Sequence, residues 1–102
     1  MPGNPVSLCV LLWANPGQES ALTAYEDQVL GLLADHGGRV LQRASVIADD
    51  PADEAQPAEV QIIEFPAEAA LAAFMNDSRR VALAADRDAA IARTDVLRIR
   101  TV

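Results

Sequence analysis

Two junctions between a helix and a strand constrain the fold of this chain more than any other feature. Residues 36–43 read His-Gly-Gly-Arg-Val-Leu-Gln-Arg, the end of a helix followed by a strand. Residues 60–66 read Val-Gln-Ile-Ile-Glu-Phe-Pro, a strand followed at once by an alanine-rich helix. Glycine commonly ends helices and proline commonly begins them. The junctions therefore define the order of the elements, but they do not define a reaction.

The spacing of apolar residues predicts strands and helices in the order β-α-β-β-α-β. Strands are predicted at residues 6–13, 40–48, 60–65 and 95–102. The first helix is predicted to continue through His36 and to end at Gly37, while a second helical segment begins behind Pro66 and a third covers residues 78–92. With right-handed crossovers, this order gives an α+β fold: a four-stranded antiparallel sheet of order 4-1-3-2 with the helices on one face.

The length and the first strand together predict a single domain that dimerises. A chain of 102 residues with 51% hydrophobic content can build one modest core, so residues 1–102 form one domain. The first strand carries large apolar side chains on both faces, and the helices cover only one of them. Each such side chain left in water would lose about 1.5 to 3 kcal/mol of the free energy that burial contributes to stability. We therefore expect a C2 homodimer with two sheets packed face to face.

Charge and composition exclude several classes of partner. The net charge is −7, the chain has no lysine, and all eight basic residues are arginine, which argues against a nucleic-acid partner. No apolar run approaches the ~20 residues of a membrane-spanning helix, and the N-terminus lacks the pattern of a secretory signal, so we expect a cytoplasmic protein without a membrane partner. Cys9 has no second cysteine to pair with and is predicted to be a small buried hydrophobe.

The segment at residues 49–58 is predicted to be a long, solvated and mobile loop between the second and third strands. It contains two prolines and four acidic residues, and it has no large apolar residue that could anchor it to a core. We expect it to be the most mobile internal segment of the chain.

A family resemblance rests on positions spread from the first strand to about Ala90. These positions are Tyr25, Gly37, Gly38, Arg39, Glu64, Phe65, Pro66, Glu68, Ala69, Ala70, Phe74 and Arg87. In them the chain resembles the DUF1330 family of the dimeric α/β-barrel superfamily. The resemblance implies a ferredoxin-like protomer whose sheet forms a barrel with that of a second copy. Other branches of that superfamily include cofactor-free monooxygenases, muconolactone isomerases and haem enzymes.

The chain departs from the family pattern at two places. Where members usually read Ser-Pro-Glu-Tyr, this chain reads Asp-Ser-Arg-Arg at residues 77–80, so that a second consecutive arginine replaces an aromatic residue. Ala67 stands where a serine is expected after the proline, which weakens the helix cap by about 1 kcal/mol and bears only on stability.

Few residues are candidates for chemistry. His36 is the only histidine, and its position on the apolar face of the first helix suits either a general base or haem ligand, or a partly buried imidazole next to the helix C-terminus. Tyr25 is a second candidate for handling a proton. Trp13 and Tyr25 are predicted near the mouth of a pocket between sheet and helices, although such aromatic residues more often belong to the core.

Arginines form the predicted substrate-binding set. Pairing of the second and third strands is expected to bring Glu64 near Arg43 and within a few residues of Arg39, where a carboxylate between guanidiniums could orient an anionic substrate. The alternative is an ion pair at a strand edge or dimer seam, worth about 0 to 1 kcal/mol when exposed. Arg87 joins this set because it matches the family pattern.

Two functions from different classes remain open. The first is binding or transformation of a small anionic or carbonyl-bearing molecule, oriented by Arg39 and Arg87, with His36 or Tyr25 handling the proton. The second is a structural or regulatory homodimer without catalysis. No cofactor or metal is predicted, because His36 lacks further ligands at suitable spacing, and the chain has no phosphate-binding loop or nucleophilic triad.

Overall fold

The computed structural model describes residues 4–50 and 52–102; Pro51, inside the predicted loop, and the first three residues lie outside the described part. The elements in chain order are β1 (Val6–Ala14), α1 (Glu19–Leu30), a 3₁₀ turn (Leu33–His36), β2 (Arg39–Ser45), β3 (Glu59–Phe65), α2 (Glu68–Met75), α3 (Ser78–Val81), α4 (Ala84–Ala90) and β4 (Ile91–Ile99). This is the predicted order of strands and helical crossovers.

The four strands form one antiparallel sheet in the order β2-β3-β1-β4. This is the predicted order 4-1-3-2 in reverse, so the sheet prediction is confirmed. The apolar strands β1 and β3 lie at the centre, while the edge strands β2 and β4 each carry two arginines. The sheet order follows from the two helical crossovers, each of which places a parallel strand two positions away, with one antiparallel strand in between.

The core lies between the sheet and the helices. Alternate residues of β1 are buried, which is the pattern of a strand with one face on a core. The aromatic rings of Phe65 on β3 and Phe74 on α2 pack together with their centroids 5.5 Å apart, and Phe65 is completely buried. The other members of the core are Val6, Leu8, Val10, Leu12, Leu22, Tyr25, Val29, Leu33, Ile63 and Ala90.

The first glycine junction has the predicted form. Gly37 ends the 3₁₀ turn with a φ of 71°, in the left-handed region that glycine adopts without strain. Gly38 donates its backbone N–H to Leu33 O at 2.9 Å and lies against the ring of Phe65. The two glycines therefore turn the chain from the helical layer into β2 and pack it closely on β3.

Several predicted boundaries are wrong; the second strand, for example, ends at Ser45 and the last strand at Ile99. The first helix ends at Leu30 and does not continue to His36. A separate 3₁₀ turn follows it, and Leu33 of this turn is buried in the core. The predicted helix at residues 78–92 is two short helices. β4 begins at Ile91 rather than at Asp95, because the Asn15 side chain donates to the carbonyls of Asp88 and Ala89 and ends α4 there.

Candidate functional site

The structure places the six predicted site residues in four separate places. Arg39 and Glu64 form a pair on the sheet face opposite to the helices. His36 lies in the 3₁₀ turn, Trp13 lies at the end of β1, and Tyr25 on α1 faces α4, which carries Arg87. These residues were expected to line one pocket between sheet and helices, but the structure holds them apart.

Arg39 and Glu64 are direct neighbours on β2 and β3. The guanidinium donates from Nε and Nη2 to Glu64 Oε1 at 3.1 and 2.9 Å, and the Arg39 side chain is 69% exposed. The expectation that Glu64 lies near Arg43 is wrong. Arg43 pairs with Gln61 in the register and points to the helix side of the sheet, because a bulge after Val40 resets the faces of β2.

His36 joins the 3₁₀ turn to the start of α3. Its Nε2 lies 2.8 Å from Asp77 Oδ2, and its ring meets the edge of Phe74 at 6.1 Å between centroids. Asp77 also accepts from the Arg79 side chain and from the Arg79 backbone N–H, which caps α3. These hydrogen bonds, above all those from Arg79 and His36, hold the pKa of Asp77 well below its usual range. Asp77 and Arg79, which depart from the family pattern, thus connect the 3₁₀ turn to the start of α3.

Tyr25 lies on α1, which packs against α4, and the charges of Arg80 on α3 and Arg87 on α4 act on its hydroxyl. Its side chain is buried in the core, and its hydroxyl makes no hydrogen bond with another residue of the described ranges. Burial raises the pKa of Tyr25, and the nearby charges of Arg80 and Arg87 act in the opposite direction. Arg80 lies over the Phe74 ring at 5.5 Å, and its buried Nε has no partner among the described residues.

Arg87 is available at this same surface. Its guanidinium is 45% exposed, and its contact with Asp88 is long, at 3.4 Å from Nη2 to Oδ1. An exposed arginine with one weak contact keeps most of its donors for another acceptor. Tyr25, Arg80 and Arg87 therefore form a surface where a phenol and two guanidiniums are close enough to influence one another electrostatically.

A buried polar cluster was missed by the sequence analysis. Gln61 donates from Nε2 to Glu26 Oε1 at 2.6 Å and to Glu59 Oε2 at 2.7 Å, and all three side chains are buried. Arg43 donates to both oxygens of Glu59, at 2.8 and 3.2 Å. Among the described residues, the neutral amide of Gln61 is the one side chain that donates to Glu26, and burial raises the pKa of Glu26. One signal could have revealed the cluster: Glu59 and Gln61 alternate with the same period as the core residues of β3.

Trp13 lines a cleft of about 880 Å³ at the end of the sheet. The cleft lies between the end of β1, the start of α1 and the loop that joins β2 to β3. The Trp13 indole N–H donates to Ala55 O at 3.1 Å, and the Arg93 guanidinium lies 4.4 Å from the ring centroid. A second cleft, of about 490 Å³, lies between the starts of β1 and α2 and includes the ion pair of Arg98 with Glu68.

Of the six predicted residues, Trp13 is the one that lines either of these two clefts. Among the residues that the structure describes, no three His, Cys, Asp or Glu side chains are grouped so that they could hold a metal ion. Nor does any helix in residues 4–50 and 52–102 have the length and apolar character needed to cross a membrane.

The fold is that of the ferredoxin-like α+β proteins. A family model described as a domain of unknown function, DUF1330, matches residues 13–102, so the chain belongs to the DUF1330 family. This confirms the resemblance inferred from the glycine junction and the Phe-Pro motif. No curated protein sequence matches the chain.

Solved structures of three other proteins share the fold. The RPA0582 protein of unknown function from Rhodopseudomonas palustris superimposes with a TM-score of 0.77 at 21% identity, over 97% of this chain and 83% of that one. SnoaB, a cofactor-independent oxygenase from Streptomyces nogalater, gives 0.69 at 11% identity, over 98% and 97%. A dimeric protein of unknown function with a ferredoxin-like fold from Bacteroides fragilis gives 0.66 at 11%, over 99% and 100%. At these identities the likeness shows the fold alone.

Proposed function

We propose that the protein is a homodimer in which the outer faces of two sheets pack together. The supporting observation is the apolar centre of the face opposite to the helices. Cys9 pairs directly with Ile62 on one side and Leu97 on the other, so these three side chains share that face. Leu97 is 53% exposed in the single chain. A second copy would remove this surface from water.

Charged pairs border this apolar centre at both ends. Arg39 with Glu64 lies at one end, and Arg93 with Asp95 lies at the other. Apolar residues at the middle and charged residues at the rim are the usual arrangement of a protein interface. The dimeric Bacteroides fragilis protein, which has a similar fold, gives this assembly a parallel.

Two matched variants test the dimer. Leu97→Glu places a charge at the centre of the proposed interface, while Val81→Glu places one on α3, at a side chain of similar exposure, 58%. We expect light scattering to show a dimer for the parent and for Val81→Glu, and a folded monomer near 10.9 kDa for Leu97→Glu. A monomeric parent protein, or a dimeric Leu97→Glu variant, would refute the interface.

Each protomer, in this proposal, binds a small anionic or carbonyl-bearing molecule at the surface of Tyr25, Arg80 and Arg87. A guanidinium with free donors can hold a carboxylate in one orientation. The raised pKa of Tyr25 keeps its hydroxyl protonated at neutral pH, so it can donate to a carbonyl or carboxylate oxygen. Tyr25 takes the proton-handling role, because His36 is held by Asp77. No cofactor is part of this proposal, and a protein of similar fold, SnoaB from Streptomyces nogalater, is a cofactor-independent oxygenase.

Binding of small carboxylates tests this site. Acetate, pyruvate and benzoate would be titrated into ¹⁵N-labelled protein, and we expect shifts at residues next to Tyr25 and Arg87. Arg87→Gln and Tyr25→Phe should each weaken binding by about tenfold. Arg100→Gln, beyond the end of β4, serves as the control for loss of one positive charge, and Arg39→Gln tests the pair with Glu64. If the shifts are lost in Arg39→Gln or in the control Arg100→Gln but persist in Arg87→Gln, the assignment is contradicted.

A non-catalytic homodimer is the second candidate, and a specific observation favours it. Two of the predicted functional side chains, His36 and Arg39, are engaged by carboxylates. If none of the carboxylates or ketones causes shifts near Tyr25 while the dimer persists, the structural function stands and the binding function falls.

A further inference from the structure

The cleft beside Trp13 is a feature that the proposed function does not use. Its volume, about 880 Å³, lies in the range of small-molecule sites, about 300 to 1,000 Å³. Trp13 and Val46 supply apolar walls, and residues 52–58 of the β2–β3 loop close one side. The indole N–H of Trp13 holds this loop through Ala55 O. The cleft is therefore large enough for a small organic molecule and has one aromatic wall.

The charged residues that line the cleft indicate the charge of the molecule that it could bind. Its charged lining residues are Glu19, Asp53, Glu54, Glu59 and Arg93. Arg93 is held by Asp95 outside the cleft, with Nε to Oδ1 at 3.0 Å and Nη2 to Oδ2 at 2.6 Å. Even if Glu59 is balanced by Arg43, three exposed carboxylates remain. An anion would meet a negative surface, and a cation would meet an attractive one.

The Trp13 ring already lies beside a cation. The Arg93 guanidinium lies 4.4 Å from its centroid, which is within the distance of a cation–π contact. Indole is the best of the natural side chains for this interaction. The one arginine of the cleft lining is thus held between the Trp13 ring and Asp95.

We propose that this cleft is a second binding site, distinct from the surface of Tyr25, and that it takes a small organic cation, an ammonium group attached to an apolar or aromatic body. The aromatic body packs against Trp13 and Val46, and the ammonium group faces the carboxylates of Asp53 and Glu54. The site stands on the cleft and its charge, so it holds whether or not a carboxylate binds near Tyr25.

Three probes of nearly equal size separate charge from shape. Trp13 is the only tryptophan in the chain, so its fluorescence reports directly on the cleft. Benzylammonium, benzyl alcohol and benzoate would each be titrated into the full chain at neutral pH. We expect a saturable change with benzylammonium, about tenfold weaker binding of the neutral alcohol, and weaker binding still of benzoate. Added salt should weaken the binding of the cation and leave that of the alcohol unchanged.

Variants of the lining carboxylates test where benzylammonium binds. The double variant Asp53→Asn with Glu54→Gln should weaken benzylammonium binding several-fold and leave benzyl alcohol binding unchanged, while Asp86→Asn on α4 should change neither. The proposal is overturned if benzoate binds as tightly as benzylammonium, if none of the probes changes the fluorescence at about 10 mM, or if the double variant behaves like the Asp86→Asn control. None of these outcomes depends on Arg87, so a failure here leaves the proposed carboxylate site intact.

Discussion

Replacement of Gly38 by alanine tests the close contact at the first glycine junction. A Cβ atom at this position would lie 3.1 Å from Cδ1 and Cε1 of Phe65 and 3.2 Å from Glu64 O. Phe65 is completely buried and packs against Phe74, so its ring has no free space into which it can move. Overpacking of this kind costs about 1 to 3 kcal/mol. For a domain of this size, each kcal/mol lowers Tm by about 4 to 8 °C.

Gly31→Ala is the matched control. Gly31 has a φ of −62°, in the right-handed helical region, and the nearest atoms to an added Cβ are backbone oxygens of the preceding turn, the first at 3.3 Å. Alanine there should stabilise the protein by about 0.4 to 1 kcal/mol. Urea unfolding at one fixed protein concentration, followed by circular dichroism, measures both variants. If Gly38→Ala were as stable as the parent while Gly31→Ala gained stability, the argument from the Phe65 contact would be refuted.

Two further predictions concern the buried carboxylate and the loop. Because burial raises the folded-state pKa of Glu26, its stabilising contribution is complete below the unfolded-state pKa and is lost as pH rises through the folded-state pKa. Glu26→Gln should therefore become more stable relative to the parent as pH increases from about 4 to about 8, and parallel urea-unfolding profiles would contradict this. Amides of residues 52–58 should exchange with solvent faster than those of other internal segments. Trp13→Phe removes the hydrogen bond to Ala55 O and should accelerate that exchange further, and unchanged rates would show that the indole does not hold the loop.

The order of the elements was predictable because it depends on local signals. Gly37 has to adopt a left-handed conformation, and the Phe-Pro junction ends β3 at Phe65, so both signals act within a few residues. The end of α4 depends instead on Asn15, whose side chain reaches carbonyls 73 and 74 residues away in the sequence. Periodicity contains no information on such a contact, and the predicted helix therefore ran on into β4.

The site was harder to predict than the fold, because the face of each side chain depends on the register. A bulge between Val40 and Gln42 allows Arg39 and Arg43, four residues apart, to lie on opposite faces of the sheet. Arg39 meets Glu64 on the outer face, and Arg43 enters the buried cluster. The strand pattern alone places both arginines on one face. Glu26, moreover, looks like a solvated helix residue until its contact with Gln61 is known.

The arginines of the two edge strands also bear on how molecules of this protein can associate. A strand edge offers unpaired backbone groups to any other chain, and charged side chains on an edge strand oppose such pairing. Arg39 and Arg43 lie on one edge strand of the sheet, and Arg93 and Arg98 lie on the other. Open-ended growth by addition of strands, the geometry of fibrils, is therefore disfavoured at both ends of the sheet. In the proposed dimer, contact through the outer face would use the same patch on both molecules, so it would be complete once two have met.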